Sequence, residues 1–240
     1  MPSESDPLAP LLAVGDVAES CELASRAINA VHRRPVNLRK SDLTSAEAAL
    51  RGAQGSALLA EGGPIQPDPE KDPAFQRIIQ VYGVLGPEVA QRNAAILLRA
   101  PRQMFSTLAS RAGVPARPAT PDAAARLDLL SRLLSRRPSP HPGVLTQVLH
   151  AEILSQEIFG EASGPIARVL SRLCAIGTGF DPRGLCVPEA YLHRHEGEYR
   201  EVIAGFPQDA EHAAQAVSFL ARAWEAGARE AEGIARLASH

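Results

Sequence analysis

The sequence predicts a single all-α domain, and three observations carry that prediction. Apolar residues recur at i, i+3, i+4 and i+7 through almost every segment between Gly/Pro breaks. Ala and Leu are abundant while aromatic residues make up only 4% of the chain, a composition that favours helix over strand. No apolar/polar alternation persists beyond about four residues, and no internal repeat or long linker divides the chain. With 240 residues, 45% of them apolar, one sizeable core is within reach. The spacing gives an irregular lead-in over residues 1–15 and a helical domain of roughly eight to ten helices over 16–240.

In chain order, Asp16 and Glu19 read as a capping box before an apolar face of Val17, Cys21, Ala24, Ile28 and Val31. Arg33 and Arg34 before Pro35 suit the negative end of the helix dipole. Thr44 with Glu47 repeats the capping signature, and a helix is expected from there to about Glu61, where Gly62-Gly63-Pro64 stops it. Asp72-Pro73 opens the next, since Pro at the first helical position loses no hydrogen bond. Phe75, Ile78, Ile79 and Tyr82 form its core face, and Gly86-Pro87 interrupts it before a further stretch to Leu98. Pro101 and Pro121 start two more helices, carrying Met104, Phe105 and Leu108, then Leu127, Leu130 and Leu134; Gly113 to Pro118 between them is loop, with room for a short hairpin. Pro142 begins the first of two strongly apolar helices, and the last helix runs from about Asp209 to Leu237 with Val217, Leu220, Ala221, Trp224 and Ala228 inward.

Composition narrows the function classes. The net charge is −2 with no basic run, which argues against a nucleic-acid partner. No run approaches the eighteen or so apolar residues of a membrane span, and residues 1–10 lack a charged-then-apolar signal pattern. The three cysteines, Cys21, Cys174 and Cys186, are too scattered for a disulfide framework. A cytoplasmic protein is the expectation. His193-Arg194-His195-Glu196 and His150-Ala151-Glu152 lack the spacing of the zinc-site patterns they approach, and no GxSxG, GxGxxG or P-loop is present.

The stretch most suggestive of chemistry is a corner between the two apolar helices. Val144 to Ile158 carries Val144, Leu145, Val148, Leu149 and Ile153 at helical spacing; Pro165 to Ile176 carries Ile166, Val169, Leu170, Leu173 and Ile176. Between them lie Phe159-Gly160-Glu161-Ala162-Ser163-Gly164. The second helix directs its first N–H groups and the positive end of its dipole at this corner, and Arg168 sits one turn inside it. Such a corner is a candidate anion site.

This segment resembles the active-site motif of Fic-domain proteins, HPFxxGNGRxxR between two core helices. Phe159 matches the Phe, Gly164 the second Gly and Arg168 the final Arg. Elsewhere the motif is eroded: Glu157 stands at the His, Ile158 at the Pro, Glu161 at the usual Asp or Glu, Ala162 at the first Gly, Ser163 at the Asn and Pro165 at the first Arg. Gly179-Phe180-Asp181-Pro182 and Pro188-Glu189-Ala190-Tyr191, leading to Tyr199, also resemble the downstream segments. The likeness is greatest to a divergent actinobacterial group with similarly eroded loops.

The resemblance implies a Fic-like helical fold and, for an intact motif, AMP transfer from ATP to a hydroxyl of a protein target. The His is then the general base, the Asp/Glu holds Mg²⁺, and the Gly-rich backbone with the arginines cradles phosphate. Here Glu157 is a weak base and brings negative charge to the site, although with Glu161 it could hold Mg²⁺. Pro165 removes a cation and an N–H, while Ser163, Gly164 and Arg168 retain part of a phosphate cradle and Phe159 is its hydrophobic plug. Ser56 to Glu61-Gly62 is similar to, but one residue longer than, the family's inhibitory helix motif, which implies a Glu61–Arg168 contact. Three readings stand: a non-catalytic regulatory or interaction protein with weak ATP and Mg²⁺ binding, an active AMP-transferase with rewired chemistry in which Glu157 or another carboxylate takes the proton, and a helical scaffold without a ligand. A protein partner and a homodimer are further implications of the resemblance.

Overall fold

The computed structural model describes residues 6–60, 72–118 and 120–239. Among them there are twelve α-helices, three short 3-10 turns and no strand. The helices are α1 (Val17–His32), α2 (Pro35–Arg39), α3 (Ser41–Leu58), α4 (Pro73–Tyr82), α5 (Ala90–Arg99) and α6 (Pro101–Ala112). They continue as α7 (Pro121–Leu134), α8 (Pro142–Ser155), α9 (Ser163–Thr178), α10 (Glu189–Arg194), α11 (Glu196–Gly205) and α12 (Ala210–Ala238). None of these is long and apolar enough to cross a membrane.

The two helices flanking the corner form the centre. Ten of the fourteen residues of α8 and twelve of the sixteen of α9 are buried, as expected of helices with no continuous polar face. α9 packs on α8, on α5 and on α4; α12 lies along α1 and also meets α8, α10, α11 and α3. One core cluster joins α4, α5, α6, α7 and α9 through side chains such as Phe75, Leu97, Phe105, Leu134 and Leu170. A second lies where α8, α11 and α12 meet, around Val144, Tyr199, Phe219 and Leu220. Gly227 on α12 lets the segment 185–188 pass close enough for Val187 N–H to donate to its carbonyl at 3.2 Å; a β-carbon there would sit 2.7 Å from Pro188 N. That close approach seats Glu189 at the start of α10, fully buried.

Most helix starts follow their sequence signals. Asp72 accepts from Ala74 N–H at 2.8 Å, Thr120 from Ala123 N–H at 3.2 Å and Asp209 from His212 N–H at 2.9 Å. Two capping boxes do not form. Asp16 instead takes the Ser20 hydroxyl and an Arg222 guanidinium N–H, and α3 opens three residues before Thr44, whose hydroxyl donates back to the Lys40 carbonyl at 3.2 Å. The proline that ends α1 starts a new short turn, α2, and α3 follows it directly.

The corner is tighter than apolar periodicity suggests. α8 ends at Ser155, not Ile158, because Glu157 adopts a left-handed conformation with φ 44°. Glu157 N–H donates to Leu154 O at 3.1 Å and Ile158 N–H to Ile153 O at 3.3 Å, the paired bonds of a Schellman stop. Ile158 and Ile153 both lie in the core, as the hydrophobic contact of that motif requires. α9 begins at Ser163, two residues before Pro165, and Gly160–Ala162 form a single 3-10 turn between the helices.

Candidate active-site cavity

The corner forms one wall of a cavity of about 670 Å³. The other walls come from the end of α3, from α4 and from α11, with Leu59, Ile78, Val81 and Ile203 supplying apolar surface. Its volume is that of a small-molecule site. Of the residues singled out by sequence, Glu157, Glu161, Gly164 and Arg168 line it. Phe159 and Ser163 do not: Phe159 is buried in the core beneath the corner, and the buried Ser163 hydroxyl accepts from Phe159 N–H at 2.9 Å. Glu61 lies outside the described residues, although Ala60, immediately before it, lines the cavity.

Arg168 is the most constrained of these side chains. It is 3% exposed, yet its guanidinium reaches back along α9 to lie over Gly164. Nε donates to Ser56 Oγ at 3.0 Å and Nη1 to the Tyr199 hydroxyl oxygen at 3.5 Å. Among the described residues no carboxylate forms an ion pair with it. Burial pulls its pKa down, but Tyr199, Tyr82 and Glu189 around it more than offset that and hold it above its ordinary value, so it remains a cation. A buried cation whose hydrogen-bond partners among the described residues are all neutral is a costly arrangement unless an anion joins it.

Behind Arg168 the polar groups form two short chains. Tyr199 OH lies 2.7 Å from His150 Nε2 and accepts from Arg168, so the network assigns the phenol proton to His150. Burial, and then the nearby Arg168, pull His150 down to about 3. The ring is therefore neutral and a poor proton acceptor near pH 7. Burial pushes the Tyr199 phenol up, with Arg168 opposing. On the other side Tyr82 OH donates to Glu189 Oε1 at 2.9 Å, and Arg172 Nη1 meets the same oxygen at 3.5 Å while also donating to Ala48 O at 3.1 Å. This buried group ties α3, α4, α9 and α10 together around the cavity.

The corner backbone has few free donors. Ser163 N–H donates to Gly160 O, and Pro165 has none, which leaves Gly164 N–H as the amide between them. Glu157 and Glu161 are both exposed, at the corner. Two further cations line the cavity. Arg200 on α11 is tied to Glu196, with Nη2–Oε1 at 2.6 Å; Arg77 on α4 is exposed and has no ionic partner among the described residues. Ser56, Tyr199 and Arg77 were not identified as site residues from the sequence. Ser56 is 112 positions from Arg168, and only the packing of α3 on α9 brings them together.

No family model matches the chain, and no curated protein sequence matches it. Among solved structures it is similar to the crystal structure of a Fic family protein from Desulfovibrio desulfuricans G20, at 17% identity and a TM-score of 0.55, over 97% of this chain and 76% of that one. The helical architecture and this likeness together give the chain a Fic-like all-α fold.

Proposed function

We propose that this protein is a non-catalytic Fic-like protein that binds the phosphate group of a nucleotide in the 670 Å³ cavity and serves a regulatory or interaction role. The observation that carries this reading is Arg168: a buried cation without an ionic partner among the described residues, on the cavity wall and beside the N-terminus of α9. A phosphate oxygen there gains a charge-assisted hydrogen bond and the dipole of α9. The apolar wall of Leu59, Ile78, Val81 and Ile203 suits the uncharged part of a nucleotide.

The residues present also fit a magnesium ion in part. Glu157 and Glu161 are hard oxygen donors on the same wall, and Mg²⁺ is commonly bound by one or two carboxylates plus substrate phosphates. The ion would supply neutralisation of phosphate charge beside those two carboxylates. The proton acceptors support the non-catalytic reading. Glu157 closes a helix in a left-handed turn, a structural assignment for a residue at the position of the motif base. His150, the histidine nearest Arg168 in the polar network, is held neutral and weakly basic behind Tyr199.

Calorimetry with ATP and Mg²⁺, followed by incubation with nucleotide labelled on the α-phosphate, tests the reading. Binding without label on this protein or on lysate proteins is the expected result. Label that appears with the wild-type chain and disappears with Arg168→Ala would instead establish the transferase reading, and absence of binding would leave the helical scaffold.

A further inference from the structure

We infer that Arg77 is a second phosphate contact of the cavity and sets a preference for ligands carrying two linked phosphates over those carrying one. The inference rests on the reading of the cavity as a phosphate site and adds a residue and a ligand class to it.

Arg168 offers limited capacity. Nε is engaged by Ser56 and Nη1 by Tyr199, and the side chain is 3% exposed, so among the described residues the edge left for a ligand is that of Nη2, above Gly164. One phosphate satisfies it. A second linked phosphate needs another donor in a cavity whose wall also carries the negative charges of Glu157 and Glu161. Arg200, on the α11 wall, is already compensated by Glu196. Arg77, on the α4 wall, is, besides Arg168, a lining cation with no ionic partner among the described residues. Its aliphatic stem rests beside Gly113, the left-handed residue closing α6, with Cδ 3.7 Å from the β-carbon position there. The cavity thus has a fixed cation inside and, on another wall, a cation with no ionic partner among the described residues, an arrangement that favours an extended anion over a compact one.

Inorganic phosphate and pyrophosphate, titrated calorimetrically in magnesium-free buffer, are the probes. The wild-type protein is expected to bind pyrophosphate at least about tenfold more tightly than phosphate, the scale of one charge-assisted hydrogen bond. Arg77→Gln should reduce that ratio towards one, weakening pyrophosphate binding more than phosphate binding; Arg77→Lys should retain part of it. Arg77 is exposed, so neither change threatens folding. A wild-type ratio near one, an unchanged ratio in Arg77→Gln, or equal weakening of both anions overturns the role of Arg77 while leaving the phosphate site standing. Binding of neither anion by the wild-type protein overturns the site and the inference together.

Discussion

The Arg168 guanidinium lies across Gly164, with Nη2 3.0 Å and Nη1 3.4 Å from the point where a β-carbon on that glycine would sit. Gly164 is therefore the floor on which the buried cation rests. Gly164→Ala should gain helix propensity of up to about 1 kcal/mol and lose some of it by moving Arg168. The expected outcome is a small change in thermal stability with phosphate-ligand affinity reduced about tenfold, measured by calorimetry on the same samples. Unchanged affinity would mean that the guanidinium position over Gly164 is not needed for binding.

Glu157 occupies a left-handed position that glycine or asparagine adopts more readily. Glu157→Gly should raise stability by about 1 kcal/mol, read as a higher urea midpoint at unchanged slope. Glu157→Asn should fall between. A lower midpoint for Glu157→Gly would show that its side chain supports the corner in a way the Schellman bonds do not account for.

The buried Arg172–Glu189 pair holds four helices in register, with Tyr82 bonded to the same carboxylate oxygen. Removing one partner leaves a buried charge, so Glu189→Ala should destabilise by about 3–5 kcal/mol. Tyr82→Phe, which removes one hydrogen bond to a charged group, should cost about 1.5–3 kcal/mol. Chemical denaturation measures both. Equal losses for the two variants would mean that the ion pair adds nothing beyond the tyrosine bond.

His150 gives the fold a pH signature. Burial first, and Arg168 second, lower its pKa from 6.5 to about 3 in the folded chain. Between those values the unfolded chain binds more protons than the folded one, so stability rises with pH there. The contribution is fully present above the unfolded value of 6.5 and is lost as pH falls from 6.5 towards about 3. His150→Gln, which keeps an acceptor for Tyr199, should flatten the slope of unfolding free energy over that interval. A slope identical to wild type would show that His150 titrates normally in the fold.

Much of this arrangement was legible in the sequence where a signal is local. Pro73, Pro101, Pro121 and Pro142 each mark the first residue of a helix, and the apolar faces of α1, α8, α9 and α12 are buried where periodicity places them. The corner was found because its residues are contiguous, and Glu157, Glu161, Gly164 and Arg168 do share a cavity wall. Its exact ends were not legible: Ile158 is apolar and continues the pattern of α8, but it is buried after a left-handed turn rather than within the helix. The short helices α2 and α10 carry too few turns to produce a period. Ser56, Tyr199 and Arg77 reach the cavity from three separate helices; the resemblance around Ser56 pointed to Arg168 through Glu61 rather than through Ser56 itself, and nothing near Arg77 announces its place. Tyr199 appeared in the sequence only as the end of a downstream segment, and its bonds to Arg168 and His150 arise from the packing of α11 beside α8.

Under the proposed function, Arg168 is the anchor of an anionic phosphate ligand in the corner cavity. Thermal unfolding of the wild-type protein and of Arg168→Gln, each with and without millimolar ATP and Mg²⁺, tests it most directly. At a ligand concentration about a hundred times Kd the gain is about 2.7 kcal/mol, enough to raise Tm by several degrees in a chain of this size. That rise is expected for the wild-type protein and is expected to be lost in Arg168→Gln. No rise in the wild-type protein, or an equal rise in both, would contradict it.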